Sequence, residues 1–91
     1  MTTSVLIDYV AKQFNVMPID LIGGSRVPYI VRARAALIYA LHRRKNSSVV
    51  IGRIVKREHS TVLHSLEMLP RYREKCPRFD QVMTKLELTQ L

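Results

Sequence analysis

Tryptophan is absent from this 91-residue chain, cysteine occurs once, and seven acids face 15 Lys and Arg. The single thiol, Cys76, excludes an intramolecular disulfide and any multi-thiolate metal site. The longest uninterrupted apolar run, Ala35 to Leu41, is far too short to cross a bilayer. The chain also opens on Thr2, Thr3 and Ser4 rather than on a basic n-region. A soluble cytoplasmic setting with no membrane partner is the expectation. Aromatic residues are few: Phe14, Phe79 and four Tyr, none in a basic-aromatic pattern, which argues against structured RNA as the partner. There is no strand signal, internal repeat or low-complexity tract.

What is present is unevenly placed positive charge. Residues Arg26 to Arg78 hold 13 of the 15 Lys and Arg and three of the seven acids, a net +10, while the remainder carries −2. A basic segment of that density points to a polyanion, with nucleic acid ahead of an anionic membrane surface. An apolar content of 47% suffices for one modest core, so residues 1–91 are expected to form a single domain.

Helical spacing organises the whole chain, and the expected class is all-α with about five to six helices. Thr3 or Ser4 can cap a first helix through Phe14, with Leu6, Tyr9, Val10 and Phe14 on one face. Pro18 suits the first turn of a short helix to Ile22, stopped by Gly23-Gly24, a loose stretch from which Arg26 could reach a minor groove. Pro28 starts the longest helix, to about Arg43. Val31, Ala35, Ile38 and Leu41 or His42 face inward there, and Ala33, Ala35, Ala36 and Ala40 admit a close neighbour. After Arg43-Arg44-Lys45, a helix is expected from Ser48 to about Val55. Gly52 inside it costs ~1 kcal/mol relative to Ala and implies that a neighbouring helix comes too close for a side chain. A further helix runs to Leu69 and is ended by Pro70. A basic connector, Arg71 to Arg78, then leads to a last helix at about residues 77–88, with Phe79, Val82, Met83 and Leu86 buried. Met17, Met68 and Met83 read as core fillers, and His42 and His64 as packed or interfacial histidines.

The stretch Arg57 to Leu69 carries the functional signal. Val62, Leu66 and Leu69 form an apolar stripe, and Arg57, Glu58, His59, Ser60 and Thr61 crowd the front turn, where capping alone requires one polar group. These residue types match the donors, acceptors and thymine methyl of the DNA major groove. Glu58 could accept from cytosine N4, Thr61 and Val62 could press a thymine methyl, and His59 and Ser60 could bond bases or phosphate. The same layout also fits a capped surface helix with solvated charges. Around it, Arg26, Arg32, Arg34, Arg43, Arg44, Lys45 and Arg57 are available for backbone contacts, although basic residues at a helix C-terminus are favourable without any ligand.

Two separated stretches carry a family likeness. Ile51-Gly52-Arg53-Ile54-Val55-Lys56-Arg57-Glu58-His59-Ser60-Thr61-Val62 resembles the signature of the C-terminal DNA-binding domain of the bacterial DnaA replication initiator. Upstream, Ile30-Val31-Arg32-Ala33-Arg34 before an Ala-rich helix, with Arg26 eight residues ahead of Arg34, is similar to the same domain. The likeness covers about residues 18–69. It implies a Trp-repressor-like helix-turn-helix that binds a short double-stranded DNA box as a monomer. By resemblance, Glu58, His59, Ser60, Thr61 and Val62 fall on base-reading positions, Arg26 on a minor-groove arginine and Arg34 on a phosphate contact. Ser48 and Val49 match positions near bases and backbone. The pattern departs from the family at a shortened turn around Lys56, at Glu58 in place of Asp, at Ala35 in place of a polar residue, and at Met68 in place of Lys or Arg.

With no G-x-x-x-x-G-K-[S/T] loop, no ATP-binding module is expected in these residues. The expected role is control of replication initiation or transcriptional regulation, on a bacterial nucleoid or from a phage, with a protein partner in replication. The competing class is a basic interaction module docking an acidic protein or a membrane surface. Catalysis, a metal and a cofactor are not expected. His59 and His64 are five residues apart, about 140° around a helix, and cannot clamp one ion from one face. Cys76 has no recognisable base and orienter.

Overall fold

A computed structural model of the chain describes residues 1–90. Among these, six α-helices form: α1 (Thr3–Phe14), α2 (Pro18–Ile22), α3 (Pro28–Arg43), α4 (Ser48–Val55), α5 (His59–Lys75) and α6 (Pro77–Leu88). The all-α expectation holds. Local chemistry sets most of the ends. Pro18, Pro28 and Pro77 each open a helix, where a missing N–H costs nothing. The α1 cap is Thr2 rather than Thr3 or Ser4: its Oγ1 accepts from the Val5 N–H at 3.2 Å. Ser47 does the same for the Val50 N–H, also at 3.2 Å, so Ser48 is the first residue inside α4. Asn15 closes α1 in the left-handed region, and Asn46 donates through Nδ2 to the Leu41 carbonyl at the end of α3.

The central strut is α3, which touches each of the other five helices. Its alanines explain how one helix reaches so many neighbours. Ala33, Ala35, Ala36 and Ala40 are all buried and let partner backbones approach, while Leu37, Ile38 and Leu41 fill the space between them. Each such large side chain contributes ~1.5–3 kcal/mol on burial. Leu6, Val10 and Phe14 pack from α1, Ile51 and Val55 from α4, Val62 and Leu69 from α5, and Phe79, Met83 and Leu86 from α6 into the same core. Val31 is only half-buried, and His42 and His64 are exposed rather than packed, because both point off the side of their helix that meets the core. Met17 is 65% exposed and is no core filler. It precedes α2 on the outer side of the loop, where the Asp20 carboxylate accepts its N–H.

Pro70 does not end the second helix of the pair. α5 continues through it to Lys75, and most of the expected basic connector is helical. Tertiary contacts hold that extension. Tyr72 meets Phe79 edge-on with ring centroids 5.8 Å apart, and Tyr72 and Cys76 pack against the core. On the outside, Arg73 pairs with Asp80 and Glu87 and donates to the Thr84 hydroxyl, clipping α5 to α6. The hydrogen bond to Asp80 leads in holding the Arg73 pKa above its ordinary value, against a smaller opposing effect of burial.

Candidate nucleic-acid interface

The site is built on α4, its turn and the front of α5. Lys56 ends α4 in the left-handed region (φ 58), an uncommon place for a side chain with a Cβ. The Arg57 N–H donates to the Gly52 carbonyl at 2.8 Å, which folds the turn tightly back on α4. Gly52 is required by that closure: a Cβ there would lie 2.5 Å from the Arg57 carbonyl oxygen. The close neighbour implied by this glycine is thus the turn backbone rather than the body of another helix.

Two arginines then tie the turn to the α2–α3 loop. Arg57 donates from Nη2 to the Gly23 carbonyl at 2.9 Å and from Nη1 to the carbonyls of Val55 and Lys56. Arg34, only 5% exposed, donates from Nε to Leu21 at 2.7 Å and from Nη2 to Asp20 and Gly23. Both guanidiniums therefore share the Gly23 oxygen. Burial, and then the charge of Arg57, pull the Arg34 pKa below its ordinary value. Arg34 thus anchors the end of α2 instead of projecting as a phosphate contact, and much of the Arg57 fork is likewise spent on main-chain oxygens. Sequence shows the charge of these residues but not the carbonyls they meet.

Glu58, His59, Ser60 and Thr61 are exposed at the front of α5, with Glu58 at its N-cap. Val62 is fully buried, so it belongs to the core stripe with Leu69 and cannot touch a base. Two adjoining depressions flank this front turn and share Arg57 and Thr61. One is lined by Val49, Arg53, Lys56, Glu58 and His59, and the other by Arg26, Arg34, Ile38 and Ser65 among others. Arg26, exposed on its loop, therefore shares a concave surface with the polar front of α5. Ser48 is half-buried at the start of α4, beside Val49 on the rim.

The other expected backbone contacts do not line these two depressions. Arg32 lines a pit beside Cys76, at the opposite end of α5. Arg43 donates to the Leu86 carbonyl of α6 at 2.6 Å and lies over the Tyr39 ring. Arg44 is half-buried with Nη1 enclosed, and Lys45 is exposed in a left-handed turn (φ 71). Arg53 and Lys56, in turn, line the first depression although the sequence motifs do not assign them to the site. Val49, Arg53 and Lys56 recur at i, i+4 and i+7, and that spacing was the available signal.

A short helix, a tight turn and a longer helix with a polar, outward-facing front turn define a helix-turn-helix protein. The model of the bacterial DnaA protein helix-turn-helix family matches residues 3–68, and the chain belongs to that family. It is similar to the chromosomal replication initiator protein DnaA of Mycoplasma pneumoniae, 32% identical over 82 residues, which is 89% of this chain and 19% of that protein. It is also similar to the protein of the same name from Desulfotalea psychrophila, 34% identical over 70 residues, 76% of this chain and 15% of that one. The chain thus spans a fifth or less of the length of these relatives. The family match begins at Thr3 and so takes in α1, ahead of the two motifs that carry the likeness.

Proposed function

We propose that this chain binds double-stranded DNA in a sequence-specific manner through α4 and α5, in the control of bacterial replication initiation. The observation that carries this reading is the shared concave surface. Exposed Glu58, His59, Ser60 and Thr61 adjoin Arg53 and Lys56 on one flank and Arg26 on the other. The front of α5 enters the major groove with Glu58, His59, Ser60 and Thr61 at base edges, and Arg26 reaches the adjacent minor groove. Arg53, Lys56 and Lys45 contact phosphates. Arg57 contributes through the one face of its fork left open, and Ser48 through its place at the start of α4. Replication, rather than transcription, is supported by the names of the relatives. The protein works as a monomer on DNA in the bacterial cytoplasm, whether chromosomal or phage in origin, and no catalytic step is assigned to it.

Titration of a specific duplex against salt tests the reading. With about five phosphates neutralised, log K falls with log salt at a slope of about −4.5. A slope near zero would contradict it.

A further inference from the structure

Opposite the reading turn, where the ends of α1, α3, α5 and α6 meet, lies a small pit of about 80 Å³ lined by Phe14, Tyr29, Arg32, Cys76, Arg78 and Phe79. Its apolar lining comes from Phe14 and Phe79, both buried, with the half-buried Cys76 beside them. Tyr29 donates its hydroxyl to the Phe14 carbonyl and is thereby held at the rim. Two cations stand around this apolar centre, and no lining residue is acidic. Asp80, the carboxylate closest to Arg78 in sequence, is already engaged by Arg73. Helix ends of both signs converge here and offset one another, so Arg32 and Arg78 set the local field.

We propose that this pit is a docking site for a protein segment that inserts one aliphatic side chain between flanking carboxylates. The volume is about half of the ~150 Å³ that accommodates a benzene ring, so it suits a leucine or isoleucine rather than an aromatic ring. Carboxylates on either side of that residue complement Arg32 and Arg78. The pit lies about 24 Å along α5 from His59, at 1.5 Å per residue, so a partner seated there leaves the front turn open. DNA and the partner can be held together. The site concerns residues outside the proposed DNA interface and stands or falls without it.

Cys76, the single thiol of the chain, reports occupancy. The probe is a synthetic dodecapeptide with a central leucine between aspartates, and the readout is the rate of Cys76 alkylation by N-ethylmaleimide, without DNA present. With peptide at about ten times Kd, alkylation slows about tenfold as the unoccupied fraction falls. Changing the central leucine to serine abolishes protection, as does Arg78→Glu, an exposed position whose effect on folding is checked by circular dichroism. Amide shifts in the labelled protein cluster at Phe14, Tyr29, Cys76 and Phe79. Absence of protection at millimolar peptide would overturn the proposal. Protection indifferent to the leucine, or shifts centred on His59 and Thr61, would do the same by revealing generic attraction of an acidic peptide to a basic protein.

Discussion

Arg34 and His59 are both polar residues of one small basic protein, yet one is held inside it and the other faces outward. Substituting each separates the role of holding the fold from that of reading DNA. Arg34→Ala leaves the carbonyls of Leu21 and Asp20 without their side-chain donor and Gly23 with Arg57 alone. The expected loss is roughly 2–4 kcal/mol of stability, seen as a clear drop in the melting midpoint. An Arg34→Ala protein as stable as the parent but weak on DNA would return Arg34 to the phosphate-contacting set. His59→Ala should leave stability within about 0.5 kcal/mol and cost ~1–3 kcal/mol of discrimination at its base position, measured by competition between duplexes. A guanidinium has the same charge and reach in every sequence, and whether it meets water or a carbonyl is decided by the fold. That is why Arg34 and Arg57 read as surface contacts from sequence although two nitrogens of each donate to main-chain oxygens, as one nitrogen of the exposed Arg43 does. Val62 was ambiguous for a related reason. It lies next to exposed Thr61 but belongs to the stripe of Leu66 and Leu69, and burial resolves it into the core.

Helix ends governed by neighbouring residues were legible. Pro18, Pro28 and Pro77 mark three starts because the rule for a proline in the first turn is local, and Ser47 and Asn46 bracket the α3–α4 connection in the same way. Pro70 followed no such rule. An interior proline costs ~3 kcal/mol, and here the docking of Tyr72 and Cys76 against α6 outweighs it. Pro70→Ala restores an N–H facing the Leu66 carbonyl. It should therefore raise stability by about 1–3 kcal/mol in denaturant titration without changing DNA affinity. A loss of stability would show that the proline is needed to aim the last turn of α5 at α6. Gly52, in α4, tests the turn that leads into the same helix. Gly52→Ala places a methyl 2.5 Å from the Arg57 carbonyl oxygen and forces the turn open. A destabilisation of ~1–3 kcal/mol is expected, with reduced affinity for every duplex because the front of α5 is displaced from α4.

The described residues extend 29 × 26 × 23 Å along their principal axes, and within that small body the two proposed surfaces lie at opposite ends of α5. The front end gathers Glu58, His59, Ser60 and Thr61 with Arg26, Arg53 and Lys56, while the far end carries the pit with Arg32 and Arg78. The concentration of positive charge between Arg26 and Arg78 was visible in sequence, but its partition between two ends was not, because that depends on how α3 crosses α5. The central claim is that the front of α5 reads bases while the cations around it hold the backbone. Selection of bound duplexes from a randomised pool tests it most directly. Recovery of one short recurring box, lost when His59 and Thr61 are both changed to Ala, is the expected result. A pool that stays random through successive rounds, while the folded protein still retains DNA at low salt, would contradict it.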